Sequence, residues 1–398
     1  MSDPNPMPIP LFKVFMSQTV PDAVSKTLLS GFITQGPIVD VFEKRLCHVF
    51  DHPYILTLNS ATSSLTLALH LLMKPDPQEN WPGTSPTHDI ILSTPLTCTA
   101  TNWAILALGF KIRWVDVDPT TCNMCLEDLE RKINANTKVI YIVHWGGSPV
   151  DLDALSKILD RKERELGFRP RVVEDCAHGF MSKYDGKYLG THGNICIYSL
   201  QAIKHMTTVD GGLIFLPNES LYNRGKLIRW FGIDRDKRNY KGKDFRLEND
   251  IPEWGYKFHM NDVNATIGIC HLDHIHELVA KHKANASTYN RELKNLKHIE
   301  LLHLPVKSES TYWIYTIKCS DVGMFIDFMK SQNIACSQVH RRNDVHSCVA
   351  SFQEPLPNLD ELQDRYVCIP VGWWMNEEDV LRVISCVKEV DSMIEKKI

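Results

Sequence analysis

The sequence predicts an α/β fold, a mostly parallel sheet between helices followed by a smaller C-terminal α/β unit of mixed order. Three observations carry this. Wholly apolar runs such as Val139-Ile-Tyr-Ile-Val143 alternate with helical segments, and such runs are strands buried on both faces. Those runs end in polar residues, at the sheet edge where α/β proteins place ligands. From about Val279 the alternation changes, so the expected division is residues 1–278, with an N-terminal arm, and residues 279–398.

Composition bounds the function. Of 398 residues, 43% are hydrophobic and 23% charged, as in a soluble globular protein. A net charge of −4 gives no electrostatic footprint for nucleic acid. The start, MSDPNPMPIP, lacks the basic and apolar segments of a signal peptide. The uncharged window Ile90 to Phe110 nears the length of a membrane span, but Pro95, Asn102 and several hydroxyls favour a buried strand-loop-helix. No membrane role is expected. The twelve cysteines are then reduced thiols in the cytoplasm.

Taken in order, a glycine-bounded turn after Gly31 leads into a helix with Val41, Phe42, Leu46 and Val49 at helical spacing. Tyr54 to Leu58 reads as a strand. Asn59 to Ser64 reads as the turn into a helix through Leu72, with Ser60 or Thr62 as N-cap. Small residues there leave backbone N–H groups free to face an anion. Lys74 to His88, with four prolines, reads as an exposed loop. A strand from Asp89 to Thr94 ends in the turn Pro95 to Thr101, and Trp103 is expected in the core. Lys111 to Val115 is a strand and Leu126 to Ile133 a helix. Cys122 and Cys125 lack a second ligand pair, so zinc is not expected. Val139 to Val143 ends at His144-Trp-Gly-Gly147, and Asp151 reads as a helix cap.

The chemistry concentrates between Arg171 and Gly212. Val172-Val173 ends in Glu174-Asp175; Ile195-Cys-Ile-Tyr198 ends at Ser199 and leads to Lys204; Gly211-Gly212 opens the run Leu213 to Leu216. An acid, a hydroxyl and an amine delivered to one rim suit pyridoxal 5'-phosphate (PLP). A carboxylate such as Asp175 beside the pyridine nitrogen favours its protonated form, and a protonated ring draws electrons from an adjacent carbanion. A lysine such as Lys204 can hold the aldehyde as a Schiff base and, once displaced, move protons. Ser199 offers a hydroxyl to the phosphate. Against this stands the plainer reading, that buried acids are often structural and most lysines are solvated.

The wording VVEDCAHG…YSLQAIKHMTTVDGG resembles the DegT/StrS-type family of PLP-dependent sugar aminotransferases, within the fold-type I superfamily. Its pattern is met by Glu174-Asp-Cys-Ala-His178, Ser199-Leu200, Lys204, Thr207-Thr208 and Gly211-Gly212, and the likeness runs from about Gly31 to near the C-terminus. The resemblance implies a seven-stranded sheet in the large PLP-binding domain. It also implies Lys204, Asp175 and His178 as catalytic residues, with His178 near the ring's phenolic oxygen. It places the cofactor phosphate at the turn Ser60-Ala61-Thr62-Ser63. Cys98 stands where the family usually stacks an aromatic residue on the ring; Trp145 and His178 are the candidates to take over. Lys257 replaces an asparagine that in relatives reaches the phosphate of the neighbouring subunit, and His259 replaces an arginine. The element implies a homodimer with composite sites. Thr34, Arg229, His340 and Arg341 fall in segments resembling the substrate side, and the charged run that follows Arg235 as far as Glu253 would be a lid or interface.

The remaining signals are a helix from Lys281 to Leu296, strands at Thr311 to Cys319, Ile334 to Val339 and Val367 to Ile369, and helices at Met324 to Lys330 and Glu377 to Ile394. His271, His274 and His276 read as a solvated or interface helix face. The expected reaction moves an amino group from L-glutamate, through pyridoxamine phosphate, to a nucleotide-linked keto sugar such as a 4-keto-6-deoxy sugar. Two alternatives stand beside it. One is a pyridoxamine-phosphate-dependent sugar dehydratase, although relatives of that type replace the lysine with histidine. The other is a PLP-binding regulatory protein without turnover.

Overall fold

The computed structural model describes residues 7–235 and 250–397. Strands β1 (Ile55–Leu58), β2 (Ile90–Ser93), β3 (Lys111–Trp114), β4 (Thr137–Val143) and β5 (Arg171–Asp175) precede a small hairpin, β6 (Lys183–Tyr184) and β7 (Lys187–Tyr188). Then come β8 (Ile195–Ser199) and β9 (Gly212–Phe215). The main sheet has the order β1-β9-β8-β5-β4-β2-β3. Only β9 opposes its neighbours; β3, β2, β4, β5 and β8 run parallel. The mostly parallel seven-stranded sheet expected from the sequence is therefore present.

Its strands, apart from the edge strand β3, are wholly or almost wholly buried because helices cover both faces. These are α1 (Val20–Leu29), α2 (Pro37–Phe50), α3 (Ala61–Met73), α4 (Thr99–Ala107), α5 (Leu126–Lys132), α6 (Leu152–Leu166), α7 (Glu219–Ile228) and α8 (Asp262–Leu272). Two apolar cores result. One sits under α3 and α4, with Trp114 and Tyr141 at its centre; the other sits under α2 and α6, around Phe42, Ile140 and Tyr198.

A second sheet follows helix α9 (Ile275–Leu293). It is built of β10 (Ile299–Leu301), β12 (Tyr315–Cys319) and β13 (Tyr366–Ile369) in the order β10-β12-β13, while β11 (Ser308–Glu309) pairs with β6. With α10 (Val322–Ser331) and α12 (Glu377–Lys397), this layer holds a third core around Tyr289, Phe325 and Val387, while α11 (Pro357–Leu362) packs into the first core through Leu359 and Leu362. Helix α9 runs unbroken through positions 278 and 279.

Several local readings change. Ile334 to Val339 makes only isolated bridges, Ile334 with Ile9 and Ser337 with Cys368, because the N-terminal arm takes the place of a neighbouring strand. Thr311 to Trp313 stays outside β12, and Tyr312 has a φ of 51°. Lys74 to His88 is not wholly exposed: Trp81 is buried and its indole N–H donates to the Leu72 carbonyl. His271 is 1% exposed, with Nδ1 on the Thr207 carbonyl and Nε2 accepting the Ser17 N–H, so it clasps the arm. Asp151 caps α6 through the Ala154 N–H, and Trp103 is partly buried against the first core. All twelve cysteines are free. No described helix is long and apolar enough to cross a membrane. Residues 236–249 of the charged run lie outside the described residues.

Candidate active site

Register places the reactive groups on one rim. Asp175 ends β5 and pairs with Ile197 of β8; Ser199 ends β8 opposite Gly212, which also faces Leu58 at the end of β1. A cavity of 510 Å³ opens there. Its floor carries Asp175, Ser199 and Lys204; its sides carry Ser60, Ala61, Thr62, Cys98, His178 and Gly211. Phe12, Trp313 and His340 close it from the arm and the C-terminal layer.

Asp175 is 4% exposed. Its Oδ2 accepts the Thr101 hydroxyl at 2.7 Å, and its Oδ1 accepts the Ala177 N–H at 3.0 Å. Burial raises its pKa above the ordinary carboxylate value, opposed by those two hydrogen bonds and by Lys204. Lys204 follows β8 on a turn, its N–H donating to the Gln201 carbonyl. Burial brings its amine down to about 7, with Asp175 and Cys98 favouring the charged form. An amine at that value is partly a free nucleophile at neutral pH.

The α3 N-terminus forms the opposite wall. Ser60 is its N-cap, accepting the Ser63 N–H at 3.1 Å and donating its hydroxyl to Ser63 Oγ at 3.0 Å. That leaves Ala61 and Thr62 facing the cavity with their N–H groups at the positive end of the helix. Ser63 lies behind them, off the cavity wall. Gly212 lets the strand approach: a Cβ there would collide with the Ser60 carbonyl carbon.

His178 accepts the Gly146 N–H on Nδ1 at 3.3 Å, and its Nε2 lies 3.4 Å from His340 Nε2. The Trp313 ring stacks on it with centroids 4.1 Å apart. Burial, with Lys204 nearby, keeps both imidazoles well below their ordinary pKa, His340 at about 3. Behind this rim, His144 Nε2 contacts Glu174 at 2.8 Å while Val150 donates to Nδ1. His144, Glu174 and Cys176 are the one cluster of three metal-ligand types among the described residues. The His144–Glu174 pair is internally satisfied and supports β5.

The structure thus brings together Ser60, Ala61, Thr62, Cys98, Asp175, His178, Ser199, Lys204 and His340. Other candidates lie elsewhere. Arg229, expected on the substrate side, is 1% exposed; its guanidinium donates to Glu43 and to the Thr57 carbonyl at 2.9 Å. Arg341 is exposed and off the cavity, while its neighbour Arg342 is held by Asp344 and Asp360. Thr34 and Lys257 are also exposed and off the cavity. Of the two residues named to replace an aromatic at Cys98, His178 lines the cavity; Trp145 lies behind it, 5.9 Å away edge-on. His205 turns its Nε2 to the Thr311 carbonyl. Phe12, Thr101 and Trp313 had no sequence signal for a site.

The donor set fits PLP: an acid for the ring nitrogen, an amine for the aldehyde, and a helix N-terminus with a hydroxyl for the phosphate, around a glycine cradle. Fold and site define a PLP-dependent aminotransferase of fold-type I. Residues 16–388 match the DegT/DnrJ/EryC1/StrS aminotransferase family, and the chain belongs to it. Solved structures similar to the chain include two that are at least 42% identical to it. AtS13 from Actinomadura melliaura is 46% identical with a TM-score of 0.90, covering 96% of this chain and 99% of that one. The sugar aminotransferase CalS13 from Micromonospora echinospora is 42% identical with a TM-score of 0.89 and the same coverage. An uncharacterized protein of Methanocaldococcus jannaschii is 28% identical over 394 residues, 96% of this chain and 98% of its own.

Proposed function

We propose that the protein transfers an amino group from L-glutamate to a nucleotide-linked keto sugar, such as a 4-keto-6-deoxy sugar, releasing 2-oxoglutarate. The observation that carries this is the opening of Asp175, Lys204 and the α3 N-terminus onto one cavity. PLP, when bound, supplies the electron sink for moving a proton at the carbon that bears nitrogen. Asp175 would face its ring nitrogen, which a carboxylate keeps protonated. Ala61, Thr62 and Ser199 would hold its phosphate, with Ser60 fixing the helix end. Lys204 would hold the aldehyde and, when released, carry the proton as a general base, an effect worth roughly 10²–10⁴-fold. His178 would stand near the phenolic oxygen, its ring fixed by the Gly146 N–H on Nδ1.

Thr34 and Lys257, exposed and away from this cavity, are read as facing the cavity of a second copy in a homodimer with shared sites. Cys98 would offer its thiol to the ring, and His340 would face the substrate. The division into residues 1–278 and 279–398 goes with this reading, the C-terminal layer closing over the cavity; twelve free thiols fit the cytoplasm. A sugar dehydratase is disfavoured because Lys204 is present and His205 points away.

The test is optical. Purified protein reconstituted with PLP should gain a visible absorbance band that L-glutamate bleaches. Incubation with glutamate and candidate sugar nucleotides should then give products of the mass expected for exchange of a keto oxygen for an amine. A band that no amino donor alters would support the regulatory reading instead.

A further inference from the structure

We propose that Trp313 is a positioning residue for Lys204: the indole gives the amine a ring face to rest on and its N–H holds the preceding peptide, so the C-terminal layer fixes where the nucleophile stands. The Lys204 Nζ lies 3.3 Å from the centroid of the Trp313 ring. The indole Nε1 donates to the Ile203 carbonyl at 2.8 Å, one residue before the lysine. Trp313 is itself pinned, its backbone N–H donating to the Gly146 carbonyl at 2.9 Å. Its ring stacks with His178 at 4.1 Å and with Phe12 at 4.8 Å. At 2% exposed it has no room to swing away. Asp175 reaches the lysine through charge alone, whereas Trp313 touches both its amine and its main chain.

The contact has a chemical consequence. A ring face attracts an ammonium, but it also stands where water would solvate it, and the lost solvation is the larger effect in an enclosed site. Of the titratable groups that face Lys204, Asp175 from β5 and Cys98 at the α4 N-cap favour the charged amine, and a charged Lys204 disfavours charge on His178, His205 and His340. Trp313 tips that set towards a free amine without carrying charge itself.

This inference rests on Lys204 being the amine that takes the cofactor, and its test reads that amine without the cofactor. Cofactor-free protein is treated with formaldehyde and cyanoborohydride across a pH series, and methylation of the Lys204 peptide is followed by mass spectrometry. Trp313→Phe keeps a ring face and loses the N–H. It should hold the wild-type pH midpoint while slowing labelling several-fold at every pH. Trp313→Ala and Trp313→Gln admit water, and each should raise the midpoint by about one pH unit, or about fivefold slower labelling at pH 7. The glutamine variant stands in if the alanine variant does not fold. A wild-type midpoint in either variant, with the fold retained, overturns the proposal. Failure of the wild-type protein to bind PLP would instead sink the aminotransferase reading and leave this measurement standing.

Discussion

His178 and His340 meet through their Nε2 atoms, 3.4 Å apart, with their rings nearly parallel at 8°. Because the Gly146 N–H can only donate, His178 Nδ1 is a lone pair and its proton sits on Nε2. His340 must then accept on Nε2 and carry its own proton on Nδ1. His178 is buried and His340 half-buried, and both lie near Lys204, so that lost solvation and the amine disfavour a charge on either. The pair is expected to stay neutral from about pH 5 to pH 8, where an ordinary histidine titrates. Nitrogen-15 spectra of histidine-labelled protein, assigned with His178→Gln and His340→Gln, check this; a charge change near pH 6.5 at either ring would contradict it.

Lys204→Ala should abolish turnover, measured as 2-oxoglutarate release; normal activity would remove the assignment. Stability gives a second reading. The amine is at about 7 in the folded protein against an ordinary 10.5. A depressed pKa gives stability that is present above 10.5 and lost as pH falls through 7. Lys204→Met should therefore gain in Tm over the cofactor-free wild type as pH drops across that window and level off below it. A gain that is the same at every pH would mean the amine is not destabilised by burial.

For Asp175→Asn the expected loss in kcat is about 10²-fold or more, the scale of removing a preorganised charge from a reacting centre. The fold should not suffer. The raised pKa of Asp175 means that its contribution to stability is present below 3.8 and lost as pH rises through the folded value. Above the folded value the ionised group therefore carries a net burial penalty, larger than its two hydrogen bonds and Lys204 offset. Thermal scans of the cofactor-free variant should show a Tm equal to or above wild type, and a variant that turns over normally would take Asp175 out of the site.

Arg229→Ala should behave in the opposite way. Breaking the buried Arg229–Glu43 pair leaves a carboxylate unpaired beside the Thr57 N–H and hydroxyl. The cost is about 3–5 kcal/mol of stability, visible in denaturant titration. KM for the sugar substrate in the surviving folded fraction should change little; a large KM effect without loss of stability would restore Arg229 to the substrate side.

Gly212→Ala should lose PLP affinity and several degrees of Tm together. The added methyl meets the backbone of Ser60 and Ala61, which cannot swing aside as a flexible side chain would. Titration of the visible band against PLP concentration measures the first effect. An unchanged affinity would show that the α3 N-terminus does not hold the phosphate.

The parts of this site that could be read from the sequence share a segment. Asp175, Ser199, Lys204 and Gly212 fall within forty residues, at the ends of apolar runs whose period and length mark buried strands. What was missed came from afar. Thr101 reaches Asp175 only because β5 lies two places from β2 in the sheet, and strand order is not written in any one strand. Phe12 and Trp313 look like ordinary core aromatics until the arm and the C-terminal layer are folded over the rim. Arg229 was misplaced for the same reason, since its partner Glu43 lies 186 residues earlier on α2. His271 lies near the end of α8, just before the polar residues Asp273 and His274, and nothing local shows that Ser17 will cover it.

The N-terminal arm ties distant parts of the chain together. Ile9 bridges to Ile334, the Pro10 carbonyl accepts the Trp374 indole N–H, and Ser17 rests on His271 and His274. Between these anchors Phe12 covers Trp313. Trimming the chain back past residue 17, as is common when preparing a protein for crystallisation, would unfasten this strap at every anchor and uncover the lysine. Such a shortened protein would report on a differently solvated amine.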